Sequence, residues 1–277
     1  MTRYGFVIDV SRCIGCDVCV FACKDQFIGI AYSPYNAAQP DQGHLWMSVK
    51  TVERGTFPKI KTAFVPTPCM MCSNAPCRKA ATGGAITRRA DGIVLIDPLL
   101  SAGQQQLVSA CPYGRIYWNP EANIPQKCTL CAHKVDQGLQ PVCAGSCSMH
   151  AITFGDFDDP SSAVSQAVAN GASPLHPEYG THPNVLYLNL PKTFLSGFVT
   201  NPKTRERIIG ASVTLTTSDG TMTALTDALG NFGFDGLEPG QSISVRVSMA
   251  GFYDKVLFVY LDKDKDLGDI KLFSPGY

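Results

Sequence analysis

Residues 13–23 read Cys13-Ile14-Gly15-Cys16-Asp17-Val18-Cys19-Val20-Phe21-Ala22-Cys23. The cysteine spacing is C-x2-C-x2-C-x3-C, the pattern with which bacterial ferredoxins bind [4Fe–4S] clusters. In that pattern the first three thiolates bind one cluster, and the fourth thiolate binds the other cluster of a pair. Thiolates are soft ligands that suit iron–sulfur clusters. The stretch therefore predicts iron–sulfur clusters in the N-terminal part of the chain.

The remaining cysteines also occur in groups. They are Cys69, Cys72, Cys77, Cys111, Cys128, Cys131, Cys143 and Cys147, so the last 130 residues (277 minus 147) contain none. Disulfides are one alternative, but disulfide scaffolds are usually short, extracellular and rich in cysteine throughout. Structural zinc is another, because zinc sites also use CxxC pairs. A tetrahedral zinc site does not need four cysteines within eleven residues, so the spacing favours iron–sulfur clusters.

The bulk properties of the chain exclude several other classes. Its 277 residues suggest two domains, and a hydrophobic content of 45% is enough to bury a core. The formal net charge is zero and the pI is about 6.9, whereas nucleic acids and anionic membranes attract a basic field. No apolar run reaches the roughly 18 residues of a membrane span, and residues 1–7 lack the apolar stretch of a secretory signal. We therefore expect a cytoplasmic protein with no membrane span and no nucleic-acid partner.

The cysteine groups resemble those of the iron–sulfur (beta) subunits of molybdopterin oxidoreductases, of the dimethyl-sulfoxide-reductase type. The resemblance covers roughly residues 3–190. Members of this family carry four groups of four cysteines, arranged as two intertwined ferredoxin-like pairs. The first and fourth groups match in full, and the stretch from His150 to Pro160 is similar to a "GDLDDP" segment that follows the fourth group in the family.

Four ligand positions of the family pattern are not cysteine in this chain. They hold Ala81, Ser101, Gln104 and Leu107. In the swapped ligation of the family, these four positions belong to a single cluster. Alanine and leucine cannot bind iron, so the resemblance implies that this fourth site is filled by packing. In the family it is the site nearest the membrane anchor, so its loss implies that no anchor subunit is needed and that electrons need not leave toward quinone.

The twelve cysteines that remain divide, by the same family ligation, into three complete sets. We name them site one (Cys13, Cys16, Cys19 and Cys147), site two (Cys23, Cys128, Cys131 and Cys143) and site three (Cys69, Cys72, Cys77 and Cys111). The resemblance thus implies three [4Fe–4S] clusters. It also implies a large catalytic partner subunit that holds molybdopterin guanine dinucleotide with molybdenum or tungsten. We predict that this chain transfers electrons and contains no catalytic residue.

Two alternative functions stay open. The chain could pass electrons to a soluble carrier, or it could be a free-standing polyferredoxin, although the long connections 24–68 and 78–110 favour a docked partner.

The role of five cations also stays open. Cations near a cluster raise its potential. The cations beside the ligands in sequence either tune the clusters, dock the partner or are solvated surface, and they are Lys24, Arg78, Lys79, Lys127 and Lys134.

The C-terminal part has a different pattern. Residues 211–216 and 242–247 alternate apolar and polar side chains and are separated by turns, which is typical of a β-sandwich. The segment resembles transthyretin-like and carboxypeptidase-regulatory-like domains, in the positions Gly210-Ala211, Thr226-Asp227, Gly230-Asn231-Phe232, Leu237 and Gly251-Phe252. We therefore predict an α+β chain in which residues 1–193 form a ferredoxin-like iron–sulfur domain with two cluster-binding modules. Residues 194–277 form the all-β sandwich.

An acidic cluster near the end of the chain suggests a second kind of site. Its carboxylates could bind Ca²⁺ through oxygen ligands, and they belong to Asp262, Asp264, Asp266 and Asp269. Lysines alternate with these residues, which favours a solvated loop over a calcium site.

Overall fold

The computed structural model describes residues 2–56 and 59–275 and divides the chain into two compact units. The first unit comprises Met1–Val52 and Ala63–Leu190. The second comprises Glu53–Thr62 and Pro191–Tyr277. The sequence did not indicate that residues 53–62 group with the C-terminal part, because this segment lies more than a hundred residues away from it in the chain.

A small four-stranded sheet and two hairpins lie wholly in the first unit. The sheet has the order β8-β1-β10-β9, with β1 and β10 parallel and the other pairs antiparallel. The two hairpins are β4–β5 and β6–β7, and residues 53–62 of a further strand pair, β2–β3, belong to the second unit. The strands are β1 (Tyr4–Asp9), β2 (Val49–Thr56), β3 (Lys59–Pro66), β4 (Ile86–Arg88), β5 (Val94–Ile96), β6 (Tyr117–Asn119), β7 (Ile124–Gln126), β8 (Ile152–Asp156), β9 (Ser173–Pro174) and β10 (Val185–Leu188).

Short helices and turns connect these strands. The helices are α1 (Val18–Phe27), α2 (Pro76–Ala80), α3 (Gln106–Ser109), α4 (Ala132–Val135), α5 (Val142–Gly145) and α6 (Ala163–Ala169), with 3₁₀ turns at Val10–Arg12 and Pro177–Tyr179. Phe6 and Ile8 of β1 are fully buried in the core that also contains most of the cysteines. A β-carbon at Gly5 would lie 1.9 Å from the carbonyl oxygen of Asn184, so only glycine fits where β1 meets the segment before β10.

Residues 160–190, which look like a linker in the sequence, contribute to the first unit. Ser162 caps α6, because its side chain accepts a hydrogen bond from the backbone N–H of Ser165. Val185–Leu188 then forms β10, whose Val185 and Tyr187 are buried against β1. The sequence gives no clear signal for β10, since its four residues are too few to show a clear alternation.

The second unit contains two sheets with a shared apolar core. The first sheet has the order β14-β11-β17 and the second β13-β12-β15-β16. Buried residues alternate along the strands, as with Val213 and Leu215 of β12 and Val245 and Val247 of β15, and they belong to one hydrophobic cluster. The strands are β11 (Thr193–Thr200), β12 (Ser212–Thr217), β13 (Gly220–Leu225), β14 (Asn231–Leu237), β15 (Gln241–Ser248), β16 (Lys255–Leu261) and β17 (Lys265–Lys271).

The acidic cluster of the second unit is engaged by protein donors. Asp264 accepts hydrogen bonds from the guanidinium of Arg54 at 3.3 Å and from the backbone N–H of Phe194 at 2.9 Å. Asp266 accepts from the Ser196 hydroxyl at 3.2 Å. Within residues 2–56 and 59–275, no three acidic, histidine or cysteine side chains are placed to share one metal ion. These contacts favour a structural role for the carboxylates over Ca²⁺ binding.

In the part of the chain that the structure describes, no helix has the length and apolar character needed to cross a membrane.

Candidate iron–sulfur sites

The cysteines of site one surround a cavity. Cys13, Cys16, Cys19 and Cys147 all line an empty space of about 340 Å³, together with apolar side chains such as Val49. Cys19 is buried whereas Cys16 is exposed, so the cavity lies near the surface on one side. Burial is the main cause that raises the pKa of Cys19 to about 12, and the thiols of Cys13 and Cys147 raise it further. The structure thus brings together residues that are 128 positions apart in the chain (147 minus 19).

Site three surrounds a second cavity of almost the same size. An empty space of about 350 Å³ is lined by Cys69, Cys72, Cys77 and Cys111. Burial, and then the neighbouring thiol of Cys69, raise the pKa of Cys72 to about 12 and that of Cys77 to about 11. Each of the two cavities is lined by four cysteines, so sites one and three offer the same set of ligands.

The cysteines of site two lie on helices that pack together. α1 carries Cys23, α5 carries Cys143, and these two helices are in contact. The pKa of Cys23 is raised by burial and then by the nearby thiols of Cys128 and Cys131. After burial, the thiols of Cys131, Cys23 and Cys128 raise the pKa of Cys143. The four thiols are thus within electrostatic range of one another, although Cys23 belongs to the N-terminal motif.

The backbone around all three sites has an unusual conformation. A left-handed backbone costs a residue other than glycine about 1–3 kcal/mol, and such strain concentrates at functional sites. Alternating right- and left-handed residues point successive N–H groups into a concavity, which is a known arrangement at iron–sulfur centres. Five residues other than glycine in or beside the cysteine motifs have positive φ angles, namely Asp17, Met71, Leu130, Cys131 and His150.

Backbone N–H groups donate to one cysteine sulfur at each site. Ala151 donates to Cys147 Sγ at 3.3 Å, Leu130 to Cys128 Sγ at 3.4 Å, and Arg115 to Cys111 Sγ at 3.4 Å. Such bonds favour the more negative, thiolate form of sulfur and thereby influence cluster potentials. They come from the turns just after each cysteine, so the local chain path supplies them.

A hydroxyl relay that the sequence did not reveal reaches site three. Thr181 hydrogen-bonds to the thiol of Cys72 and lowers its pKa, against the larger effect of burial. The hydroxyl groups of Thr181 and Tyr113 are 2.7 Å apart. Thr181 lies 109 residues after Cys72 (181 minus 72), in a segment without cysteine, so no sequence signal points to it.

The chemistry of these sites fits iron–sulfur clusters better than zinc or disulfides. All twelve cysteines are free thiols, and most are buried. In residues 2–56 and 59–275, no three potential ligands approach closely enough to hold one metal ion, which a zinc site would require. Thiols that are buried with raised pKa values stay neutral unless a cation compensates the thiolate charge. Four cysteines around one cavity, as at sites one and three, form the ligand set of a [4Fe–4S] cluster.

Site two adjoins both other sites. Cys19 of site one is among the thiols that act on Cys23 and Cys143 of site two. Cys69 of site three acts on Cys128 of site two, whose pKa burial raises to about 11. Site two is therefore within electrostatic range of both others, and we call the order one, two, three the row of sites.

The four positions that hold cysteine in the family pattern but not in this chain make packing or hydrogen-bond contacts within the protein. Leu107 and Ser101 are fully buried, and Ala81 packs against the main core. The side-chain amide of Gln104 exchanges hydrogen bonds with the backbone of Thr82, accepting at 3.0 Å and donating at 3.2 Å. An apolar side chain and an amide cross-link thus occupy the place where the family pattern has cysteine ligands.

The five cations beside the cysteines differ sharply in exposure. Arg78 and Lys79 are exposed, and Lys24 and Lys134 are half-buried. Lys127 is only 3% exposed and lines the cavity of site three. Lys127 is thus the one buried cation of the five. The other four side chains reach solvent, so a role as solvated surface is sufficient to explain them.

An ion-pair network lies close to site two and leads to a prediction about acid stability. Arg89 pairs with Asp91 at 2.8 Å and with Asp136 at 2.5 Å, and the Tyr35 hydroxyl also donates to Asp136. Hydrogen bonding from Arg89 is the main cause that lowers the pKa of Asp136 below 3.8. A lowered pKa in the folded state stabilises the protein above the unfolded-state pKa, and this stabilisation is lost as the pH falls through the folded-state value.

Asp136→Asn should therefore lower the free energy of unfolding at pH 7 by on the order of 1 kcal/mol, because the pair is partly solvated. The difference from wild type should shrink as the pH is lowered below about 4. Urea midpoints measured at several pH values test this. Asp158→Asn is the matched control, because Asp158 forms a more exposed pair with Arg3. A difference that is constant with pH would contradict the explanation.

Comparison with known proteins shows the family of this chain. A family model described as a 4Fe-4S dicluster domain matches residues 60–157, and one described as a carboxypeptidase regulatory-like domain matches residues 195–272. The pyrogallol hydroxytransferase small subunit of Pelobacter acidigallici is 38% identical over 280 residues, which cover 98% of this chain and 100% of that subunit. This chain belongs to the iron–sulfur subunits of molybdopterin oxidoreductases. The predicted resemblance is thereby confirmed.

Other members of the molybdopterin oxidoreductase family match about two thirds of the chain. A sulfite dehydrogenase subunit of Allochromatium vinosum is 34% identical over 207 residues, covering 70% of this chain and 85% of that protein. The arsenate respiratory reductase iron–sulfur subunit of a Shewanella strain is 30% identical over 235 residues, covering 67% of this chain and 96% of that protein. The C-terminal domain is thus shared with the Pelobacter subunit, whose match extends over nearly the whole chain.

Proposed function

We propose that this chain is the electron-transfer subunit of a molybdopterin enzyme that moves a hydroxyl group between phenols, as the name of the Pelobacter relative indicates for that protein. The observation that carries the proposal is the match to that relative over both units of the chain. The filled fourth site supports it, because a hydroxyl transfer without net redox change does not require electrons to leave the complex. In this proposal the large partner subunit holds molybdopterin guanine dinucleotide with molybdenum or tungsten.

Three [4Fe–4S] clusters are proposed at sites one, two and three. When bound, the clusters supply reversible one-electron transfer. The residues of this chain do the rest: the cysteines hold the irons, the apolar side chains lining the cavities keep water out, and backbone N–H groups donate to the sulfurs. The row of sites supports stepwise passage between the partner and an internal reservoir. Twelve free thiols fit a reducing compartment, and the cytoplasm is the proposed location.

The surface beside site one supports docking of a catalytic partner at that end of the row. Phe21 is 69% exposed and Ile14 is 57% exposed, and Cys16 itself is exposed. Val18 and Met149 are also exposed apolar side chains, and both line the cavity of site one. Contiguous exposed apolar side chains mark interaction surfaces.

The test is a reaction with no external electron donor or acceptor. The native complex, purified without oxygen, should convert pyrogallol to phloroglucinol when a tetrahydroxybenzene cosubstrate is present. Omission of the cosubstrate is the control and should stop product formation. Iron content and electron paramagnetic resonance of the same sample should account for three [4Fe–4S] clusters.

A second candidate is an electron conduit of a reductase or dehydrogenase, which the matches to the sulfite dehydrogenase and arsenate reductase subunits favour. Turnover that depends on an added redox carrier, without phloroglucinol in its absence, would select this candidate. A chain that runs alone at about 30 kDa on gel filtration of native extract, close to its 29.8 kDa mass, would instead indicate a free-standing polyferredoxin.

A further inference from the structure

Lys127 is a buried cation between two of the cysteine sites. Its side chain lines the cavity of site three, and the residue is 3% exposed. Its ammonium group donates hydrogen bonds to the carbonyl oxygens of Val94 and Cys128, the latter at 3.1 Å. The next residue in the chain is Cys128 of site two, so the ammonium group lies where the two sites adjoin.

The charge of Lys127 has no carboxylate to balance it. Among residues 2–56 and 59–275, no ion pair involves this lysine. Burying an unpaired charge carries a large free-energy cost. Two carbonyl dipoles occupy two of its three N–H donors and contribute no net negative charge. The groups around it that become anionic when a cluster binds are the cysteines of sites two and three, and their thiolates would balance the charge.

The residues around Lys127 belong to both sites. Cys77 and Cys111 of site three line the same cavity as Lys127 and as Val94, whose carbonyl oxygen accepts from the ammonium group. The other acceptor is the carbonyl oxygen of Cys128, a residue of site two. Residues of both sites thus lie around one ammonium group.

We propose that Lys127 is a positioning residue whose fixed positive charge raises the reduction potential of the cluster at site three and, more weakly, of the cluster at site two. The inference rests on the proposed function, since it requires clusters at these sites. Reduction adds one negative charge to a cluster, and a nearby buried cation stabilises the reduced form more than the oxidised one. A cluster at site one should be unaffected. Lys127 does not line the cavity of that site, and it is not among the groups that shift the pKa of Cys13 or Cys19.

The position of Lys127 gives the proposed row of clusters a direction. Site three is the far end of the row from site one, and the position beyond it is filled by protein. A raised potential at site three favours an electron at this end of the row. The lysine thus biases electrons toward the end that is away from site one.

The chain offers a matched control for the charge. Lys79 follows Cys77 by two residues and is exposed to solvent, where water screens its charge. Lys127→Gln removes the buried charge and keeps a hydrogen-bond donor of similar length. Lys127→Arg keeps the charge, and Lys79→Gln removes a cation from the same site at the surface.

The experiment is a potentiometric titration of the whole complex, followed by electron paramagnetic resonance. In Lys127→Gln the equilibrium constant for reduction of one cluster should fall about tenfold, which is a shift of about 59 mV for one electron. A second cluster should shift less and the third should not shift. Lys127→Arg should keep most of the wild-type potential, and Lys79→Gln should leave all potentials unchanged.

The outcomes separate the inference from the function on which it rests. Loss of the site-three cluster in Lys127→Gln but not in Lys127→Arg would support the proposal, because assembly itself would then need the charge. Unshifted potentials in Lys127→Gln, or loss of the cluster in both variants, would overturn it. A wild-type complex without cluster signals would contradict the proposed function and the inference together.

Discussion

Replacing Cys23 with serine should remove the site-two cluster. The site-one cluster should remain, although Cys23 belongs to the N-terminal motif that supplies three of its ligands. The expectation follows from the position of the Cys23 thiol, which lies with Cys128, Cys131 and Cys143 beside the packed pair α1 and α5. Because site two is the neighbour of both other sites, its loss should also interrupt electron transfer between sites one and three. This is the largest functional effect that we expect from a single substitution.

Iron analysis of purified Cys23→Ser should show one cluster fewer than wild type, and the remaining resonance signals should lack coupling between clusters. Reduction of the site-three cluster through the partner subunit should become far slower than in wild type. Cys147→Ser is the counterpart, since it should remove the site-one cluster and spare site two. Loss of the site-one cluster in Cys23→Ser would show that all four cysteines of the N-terminal motif bind the same cluster. That result would refute the swapped ligand sets.

Leu107→Ala should destabilise the first unit by about 2–5 kcal/mol, the usual range for truncation of a buried leucine. Leu107 is fully buried on α3, which packs against α2 at the positions of the missing cluster. The alanine variant would leave a cavity there, with no cluster available to fill it. The loss would be a large part of the total stability of an ordinary domain.

The midpoint of urea unfolding, measured on samples with equal iron content, tests this expectation. Leu107→Met is the control, because a swap that conserves volume usually costs less than about 1.5 kcal/mol. Equal midpoints for the alanine variant and wild type would mean that the fourth site is not held together by packing. A fourth cluster signal in the wild type would refute the filled site directly.

The cysteine spacing indicated a large part of the candidate sites. Four cysteines within residues 13–23 are diagnostic, because few other sites need thiolates so close together. The alternation in residues 211–216 and 242–247 indicated β12 and β15 for a similar reason, since a half-buried strand repeats every two residues. Both signals are local, so one stretch of sequence carries them. Ligation by the three sets stays a prediction until the variants are measured.

Other features depend on distant parts of the chain and could not be predicted. Lys127 looks like any of the five cations near cysteine, and only packing against Val94 and Cys128 buries it. Thr181 reaches Cys72 across more than a hundred residues. Residues 53–62 group with the second unit through contacts such as that of Arg54 with Asp264. No local pattern reports such pairings, because they form only when the whole unit has folded.

The shared cavity of the first motif and Cys147 has a consequence for biosynthesis. Three of its cysteines leave the ribosome early, and the fourth emerges 128 residues later (147 minus 19). The nascent chain must therefore carry incomplete sets of reactive thiols through most of the synthesis of the first unit. We expect iron–sulfur insertion at site one to follow emergence of most of the first unit, so that a delivery factor would meet a folding scaffold and not a short emerging peptide.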